Sequence, residues 1–190
     1  MSRMLPDIFD VIRMPDELPS TLEARLERVE DKEAIRDVLS AYCYFEDQRR
    51  WHDMVALFTP DCTREIAGTL DQAVHGREAL LQACLATQPI KRASGDFGEA
   101  VAHQQLAETE IRHVVTTELI RVQPDRAKAW LVAYYQIVAT RGEGEAFRRG
   151  SHEGTYHIEF AREAASNRWL IHRQVIWTNH ATNPLFKAGH

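Results

Sequence analysis

Asp47, His113, Tyr42 and Arg173 are the residues of this 190-residue chain whose types could move a proton and steady the resulting charge. Asp47 follows Glu46 at the end of a predicted helix, where the plain reading is a solvated acid and the functional one an acid tilted into a cavity mouth. His113 opens the run His113-Val114-Val115-Thr116-Thr117-Glu118-Leu119. In a strand, 113, 115, 117 and 119 share one face. That face mixes apolar and hydrogen-bonding groups, as a ligand pocket does, and makes Thr117 a substrate contact. A neutral imidazole titrates near pH 6.5, which suits a general base. Paired with a carboxylate that fixes its tautomer, His113 could take a proton from a substrate.

Tyr42 lies on an apolar helical stripe, so its hydroxyl points inward and needs a partner. Arg173 alternates with Trp169, Ile171, Val175 and Trp177, so all five are expected on one strand face. A guanidinium so placed needs an anionic or carbonyl partner, either a carboxylate of the chain or a substrate oxygen. Trp51, Tyr134, His157 and Trp177 complete the expected substrate-binding set, and Tyr135 and Tyr156 are further aromatic residues compatible with either a planar substrate or core. Nine histidines invite a metal reading, but no HxH or HExxH spacing occurs. Cys43, Cys62 and Cys84 form no CxxC pair and read as small buried hydrophobes. No GxGxxG, Walker or GxSxG motif is present, so no metal, nucleotide cofactor or serine nucleophile is expected.

The elements that must position these residues follow from periodicity. Ser20 or Thr21 can cap a helix over 21–46, whose Ile35, Val38, Leu39 and Tyr42 form one face. A second helix is expected over 50–58, with Trp51, Met54, Val55 and Phe58 as its stripe and Thr59-Pro60-Asp61 as its end. Residues 62–74 read as strand, turn near Gly68 and strand, and 78–85 as a third helix. The segment 86–108, with Pro89, Gly95 and Gly98, reads as a long loop and candidate lid. Four strands follow over 111–122, 127–140, 154–162 and 169–178, with turns at 123–125, 141–150 and 164–167. Helices first and long antiparallel strands after them argue an α+β fold, with helices on one face of a curved sheet. The division expected is an arm over 1–20, one domain over 21–180 and a tail over 181–190, the arm packing on the body or a neighbouring subunit.

Composition sets the outer limits. Hydrophobic residues are 44% and charged residues 27%, the balance of one globular domain. A formal net charge of −5 argues against nucleic acid and anionic membrane as partners. The first twenty residues lack the apolar stretch of a signal peptide, and no run approaches a membrane span. A cytoplasmic protein with a small-molecule substrate is expected.

Two stretches carry a likeness to a known family. They are Ala34-Ile35-Arg36-Asp37-Val38-Leu39-Ser40-Ala41-Tyr42 with Asp47 beyond, and Trp51 to Asp61. Together they resemble the opening of SnoaL-like domains, with Met54 in place of a leucine. Gly76-Arg77-Glu78-Ala79-Leu80 resembles that family's third-helix start, Arg112-His113 its strand histidine, and Trp169-Leu170-Ile171-His172-Arg173 its last strand. The resemblance runs over about 30–178. It implies an NTF2-like cone, helices on a strongly curved, mostly antiparallel sheet. Within this superfamily the chain looks most like scytalone dehydratase, bile-acid 7α-dehydratase and the hexachlorocyclohexane dehydrochlorinase. The resemblance to those lyases implies an Asp47–His113 dyad without cofactor, assisted by Tyr42 and Arg173. The dehydrochlorinase has lysine where this chain has Tyr42, which turns the expectation toward an oxygenated substrate. Dehydration, or C–C cleavage releasing formaldehyde from an aryl-propane compound, is the expected reaction, in aromatic-compound catabolism. The alternatives are a structural partner like the β subunit of ring-hydroxylating dioxygenases, a sealed ligand-binding protein, and a ketosteroid-isomerase-like isomerase. The resemblance also implies a homo-oligomer, a trimer before a dimer.

Overall fold

The computed structural model describes residues 6–16, 18–67, 73–86, 110–141 and 148–179. The expected lid loop, the turn near Gly68 and the tail lie outside them. Helix α1 (Ile8–Arg13) is capped by the Asp7 side chain. Helix α2 (Leu22–Asp47) starts at Thr21, whose hydroxyl accepts from the Ala24 N–H. Ile35, Leu39, Tyr42 and Cys43 form its buried stripe. Helix α3 (Trp51–Val55) is shorter than expected. Phe58 already opens strand β1 (Phe58–Ala67), so Pro60 stands in an irregular stretch of strand rather than at a helix end. Strand β2 (Ala73–His75), helix α4 (Arg77–Ala86) and strands β3 (Glu110–Val122), β4 (Lys128–Arg141), β5 (Arg148–Arg162) and β6 (Trp169–Thr178) complete the chain.

The strands form one sheet in the order β2-β1-β6-β5-β4-β3. Only β1 and β6 run parallel. The sheet is mixed, curved and unclosed. Its inner face carries Ile120, Leu131, Ala133, Tyr135, Tyr156, Ile158 and Phe160, packed against α2, α3 and α4 around Tyr42, Met54 and Phe58. The outer face is crossed by α1, whose Ile8 and Val11 pack on Val132, Trp130 and Trp177. This is the helix-on-sheet arrangement that the element order argues for, with part of the N-terminal arm on the sheet's far side.

Two bulges change which residues face inward. On β3, Thr116 pairs with Tyr134 but Leu119 with Val132, so one extra residue is inserted there. Thr117 has φ +57°, a left-handed conformation that β-branched residues rarely adopt. On β6, Ile171 pairs with Phe160 and Arg173 with Glu159, which leaves His172 as the extra residue. A one-residue slip moves every later side chain to the opposite face. The expected single faces over 113–119 and 169–177 are therefore each broken in two.

Candidate functional site

The last turn of α2 and the first residues of β3 meet at the inner face. Asp47 Oδ1 accepts from His113 Nδ1 at 2.6 Å. The same carboxylate accepts the His113 backbone N–H, at 3.1 Å to Oδ1 and 3.2 Å to Oδ2. Both side chains are nearly inaccessible, at 6% and 5% exposure. One acid thus fixes the histidine by main chain and ring together. With Nδ1–H donating to Asp47, Nε2 is left as the acceptor.

Tyr42, one turn before Glu46 on α2, is fully buried. Its hydroxyl donates to Glu46 Oε1 at 3.1 Å and accepts from Arg64 Nη2 at 2.9 Å. Arg64 reaches from β1 and also pairs with Glu46 at 2.7 Å. Burial pushes the Tyr42 hydroxyl well above its usual range, the nearby guanidinium opposing in part. Burial disfavours the Arg64 charge, but Tyr42 and Glu46 outweigh it and hold the guanidinium above its ordinary range. The Tyr42 ring stands edge-on to His113, Phe58 and Tyr156, at 6.3, 6.2 and 6.1 Å between centroids. Tyr156 stacks on Tyr135 at 4.4 Å. Burial, then Tyr42, raises the Tyr156 hydroxyl as well. Tyr135 hydroxyl lies 3.3 Å from His152 Nδ1, and Ile137 on β4 separates His152 from His113 in the ladder. The inner face therefore offers a histidine base, a buried tyrosine and an aromatic wall.

The structure brings Asp47, His113 and Tyr42 together and places the other expected residues elsewhere. Trp51 is half-buried against the core at the start of α3. Thr117 sits in the bulge and is exposed. Tyr134 faces outward and is 45% exposed, because Tyr135 takes the inner position. His157, Arg173 and Trp177 stand on the outer face, carried there by register with Val132, Glu159 and Thr155. Arg173 Nη2 lies 3.5 Å from Glu65. His157 is buried under α1, and burial brings its pKa down to about 4. The inner residue of β6 beside Arg173 is Gln174, fully buried.

Glu46, Arg64, His152 and Gln174 were not among the expected site residues, and Tyr156 was left open between substrate contact and core. Glu46 follows Tyr42 at i+4, and Arg64 alternates with Cys62 and Ile66, so ordinary periodicity could have found both. Tyr156-His157-Ile158-Glu159-Phe160 likewise alternates, with the apolar members inward. Gln174 carried no such signal, because the bulge at His172 resets the count. Among the described residues no group of three His, Cys, Asp or Glu side chains gathers as a metal site. No helix among them is long and apolar enough to cross a membrane.

An open cleft of about 770 Å³ runs along α2, from Asp31, Arg126, Arg162 and Trp169 to Phe45 and Asp53. Its Asp31 cluster is already paired. Asp31 is 1% exposed. It accepts from Arg126 Nε at 2.7 Å, Arg162 Nη2 at 2.9 Å and Trp169 Nε1 at 3.1 Å. This cluster ties α2 to the β3–β4 and β5–β6 turns.

Comparison with known proteins gives the geometry its relatives. The family model described as SnoaL-like domain matches residues 27–175. No curated protein matches the chain. Among solved structures, an NTF2-like protein with a cystatin-like fold from Novosphingobium aromaticivorans is 20% identical. It covers 87% of this chain and 92% of its own, with a TM-score of 0.60. A candidate scytalone dehydratase from the same organism is 16% identical, covering 85% and 97%, with a TM-score of 0.62. ActVI-ORFA from Streptomyces coelicolor is 15% identical, covering 78% and 97%, with a TM-score of 0.60. At these identities the likeness establishes the fold.

Proposed function

This chain belongs to the SnoaL-like domain family, and we propose that it is a cofactor-independent lyase acting on a hydroxylated aromatic or alicyclic small molecule. The observation that carries this reading is the 2.6 Å contact between His113 Nδ1 and Asp47, which leaves Nε2 as the base. His113 would take a proton from substrate carbon, and Asp47 would balance the imidazolium that forms. Tyr42, its hydroxyl turned from Glu46 to the substrate, would donate to the departing or carbonyl oxygen as charge builds there. Loss of water makes the reaction a dehydration. On a hydroxymethyl substrate the same base would remove the hydroxyl proton and the C–C bond would break to formaldehyde, its electron pair forming a C=C bond as a hydroxyl on the next carbon leaves as water. The likeness to a candidate scytalone dehydratase supports the first outcome. A homotrimer, with a dimer as the alternative, and a cytoplasmic setting belong to the same proposal.

The test is turnover of hydroxylated aryl-propanoid and alicyclic compounds by the full chain, with and without chelator. His113→Ala and Asp47→Asn are each expected to lose about 10²–10⁴-fold in kcat, with thermal midpoints near that of the parent. Activity surviving both substitutions defeats the dyad. Chelator-sensitive activity defeats the cofactor-free reading. An isomerised product with no group lost would mark an isomerase instead.

A further inference from the structure

Three buried polar atoms beside the Tyr42 hydroxyl have no hydrogen-bond partner: Arg64 Nε, Gln174 Nε2 and Gln174 Oε1. They belong to neighbours, since Arg64 and Gln174 are register partners across the parallel β1–β6 ladder. Gln174 is fully buried. Its amide is near enough to Tyr42 to favour the ionised hydroxyl, yet out of hydrogen-bond geometry with it. A leucine there would fill similar space without a bare amide, so stability alone does not explain glutamine. The juxtaposition is two donor nitrogens and one carbonyl acceptor around one point of the inner face.

We propose that Arg64 and Gln174 form an oxygen-binding subsite that selects a carbonyl- or hydroxyl-bearing ring and rejects a carboxylic acid. This rests on reading the inner face as the site of proton transfer. The charge balance decides the selection. Glu46 already pairs with Arg64 at 2.7 Å, and Asp47 adds another carboxylate nearby. An entering carboxylate would meet no uncompensated cation and would lose its hydration. A neutral carbonyl loses less and gains the free N–H groups, while a hydroxyl can also donate to Gln174 Oε1. Gln174 has three side-chain torsions, so its amide can turn from Tyr42 toward an incoming oxygen. Tyr42 links the two ends of the site, bonded to Arg64 and edge-on to His113. A ring held by its oxygen at Gln174 would present a neighbouring carbon to His113.

The experiment titrates three probes into the full chain by calorimetry: acetophenone, ethylbenzene and benzoate. The parent is expected to bind the ketone about tenfold tighter than either of the others, the worth of one good hydrogen bond. Gln174→Leu should bring the ketone to the level of ethylbenzene, leave ethylbenzene unchanged, and not lower the thermal midpoint. Gln174→Glu, which keeps the shape and loses the donors, should also lose the ketone preference and serves if the leucine variant misfolds. A parent without ketone preference, a preference that survives in the variants, or tightest binding of the benzoate overturns the subsite. His113→Ala separates the two readings. It should keep the ketone preference even if the dyad carries no reaction, and a lost preference in the parent removes the subsite while leaving the dyad standing.

Discussion

Asp31 and Asp47 are two acids on one helix, about 24 Å apart along its axis, and they are treated in opposite ways. Asp31 is enclosed by two guanidinium groups and an indole N–H. That end has no obvious work beyond holding α2 to the two turns. Asp47 meets a single neutral-capable partner, His113, and the network beside it leaves buried donors and an acceptor bare. A saturated cluster is what stability favours, since each unmet buried group costs about 1–3 kcal/mol. An unsaturated one is what a binding site needs. The difference separates anchor from candidate site better than residue type does, because both ends are built from acids, arginines and aromatics.

The contrast breaks most sharply at Asp31. Asp31→Ala strands Arg162, leaves Arg126 only its pair with Glu27, and should cost about 3–5 kcal/mol of stability. Asp47→Ala should cost about 1–2 kcal/mol. Chemical denaturation measures both, and equal losses would erase the distinction. A second comparison lies on the outer face, where His157 is also buried with Nε2 unpartnered. It is accommodated by staying neutral, its pKa brought down to about 4 by burial. The folded value is below the unfolded 6.5, so the unfolded chain takes the proton first. Stability should fall as pH drops from about 6.5 toward 4, by on the order of 3 kcal/mol. His157→Leu should flatten that window in a pH series of unfolding curves.

Gly154 tests the aromatic wall. A Cβ there would lie 1.9 Å from the Trp177 carbonyl oxygen and 2.8 Å from the Tyr135 ring. Gly154→Ala should cost about 1–3 kcal/mol and should disturb the Tyr135–Tyr156 stack, read as a near-ultraviolet circular dichroism change. The smallest effect is expected at Thr117. Its left-handed backbone is strained, and Thr117→Gly should gain up to about 1 kcal/mol, seen as a small rise in thermal midpoint.

The sequence was legible wherever one period held over a whole element. The stripe from Ile35 to Tyr42 placed α2, and its end placed Asp47 at the helix terminus that meets β3. Alternation placed the four long strands to within a few residues, except that β5 begins six residues before the expected 154. It failed where the period was interrupted. The extra residues at Thr117 and His172 carry no mark in composition, since neither is glycine or proline, yet each inverts the face of all that follows. Thr117, Arg173 and Trp177 were misplaced for that reason. Tyr134 and His157 were misplaced for a different one: their neighbours Tyr135 and Tyr156 are the members in phase with the apolar set.

The bulge at His172 works as a frame boundary within a strand. Removing that one residue would erase the bulge and leave Arg173 opposite Glu159 and Gln174 opposite Ile158, each on its present face. Straightening the strand with His172 kept in phase would instead turn Arg173 inward in place of Gln174, a permanent cation where an amide now stands. A sheet built this way holds two alternative inner-face chemistries in one stretch of chain, and the way a single extra residue is accommodated selects between them.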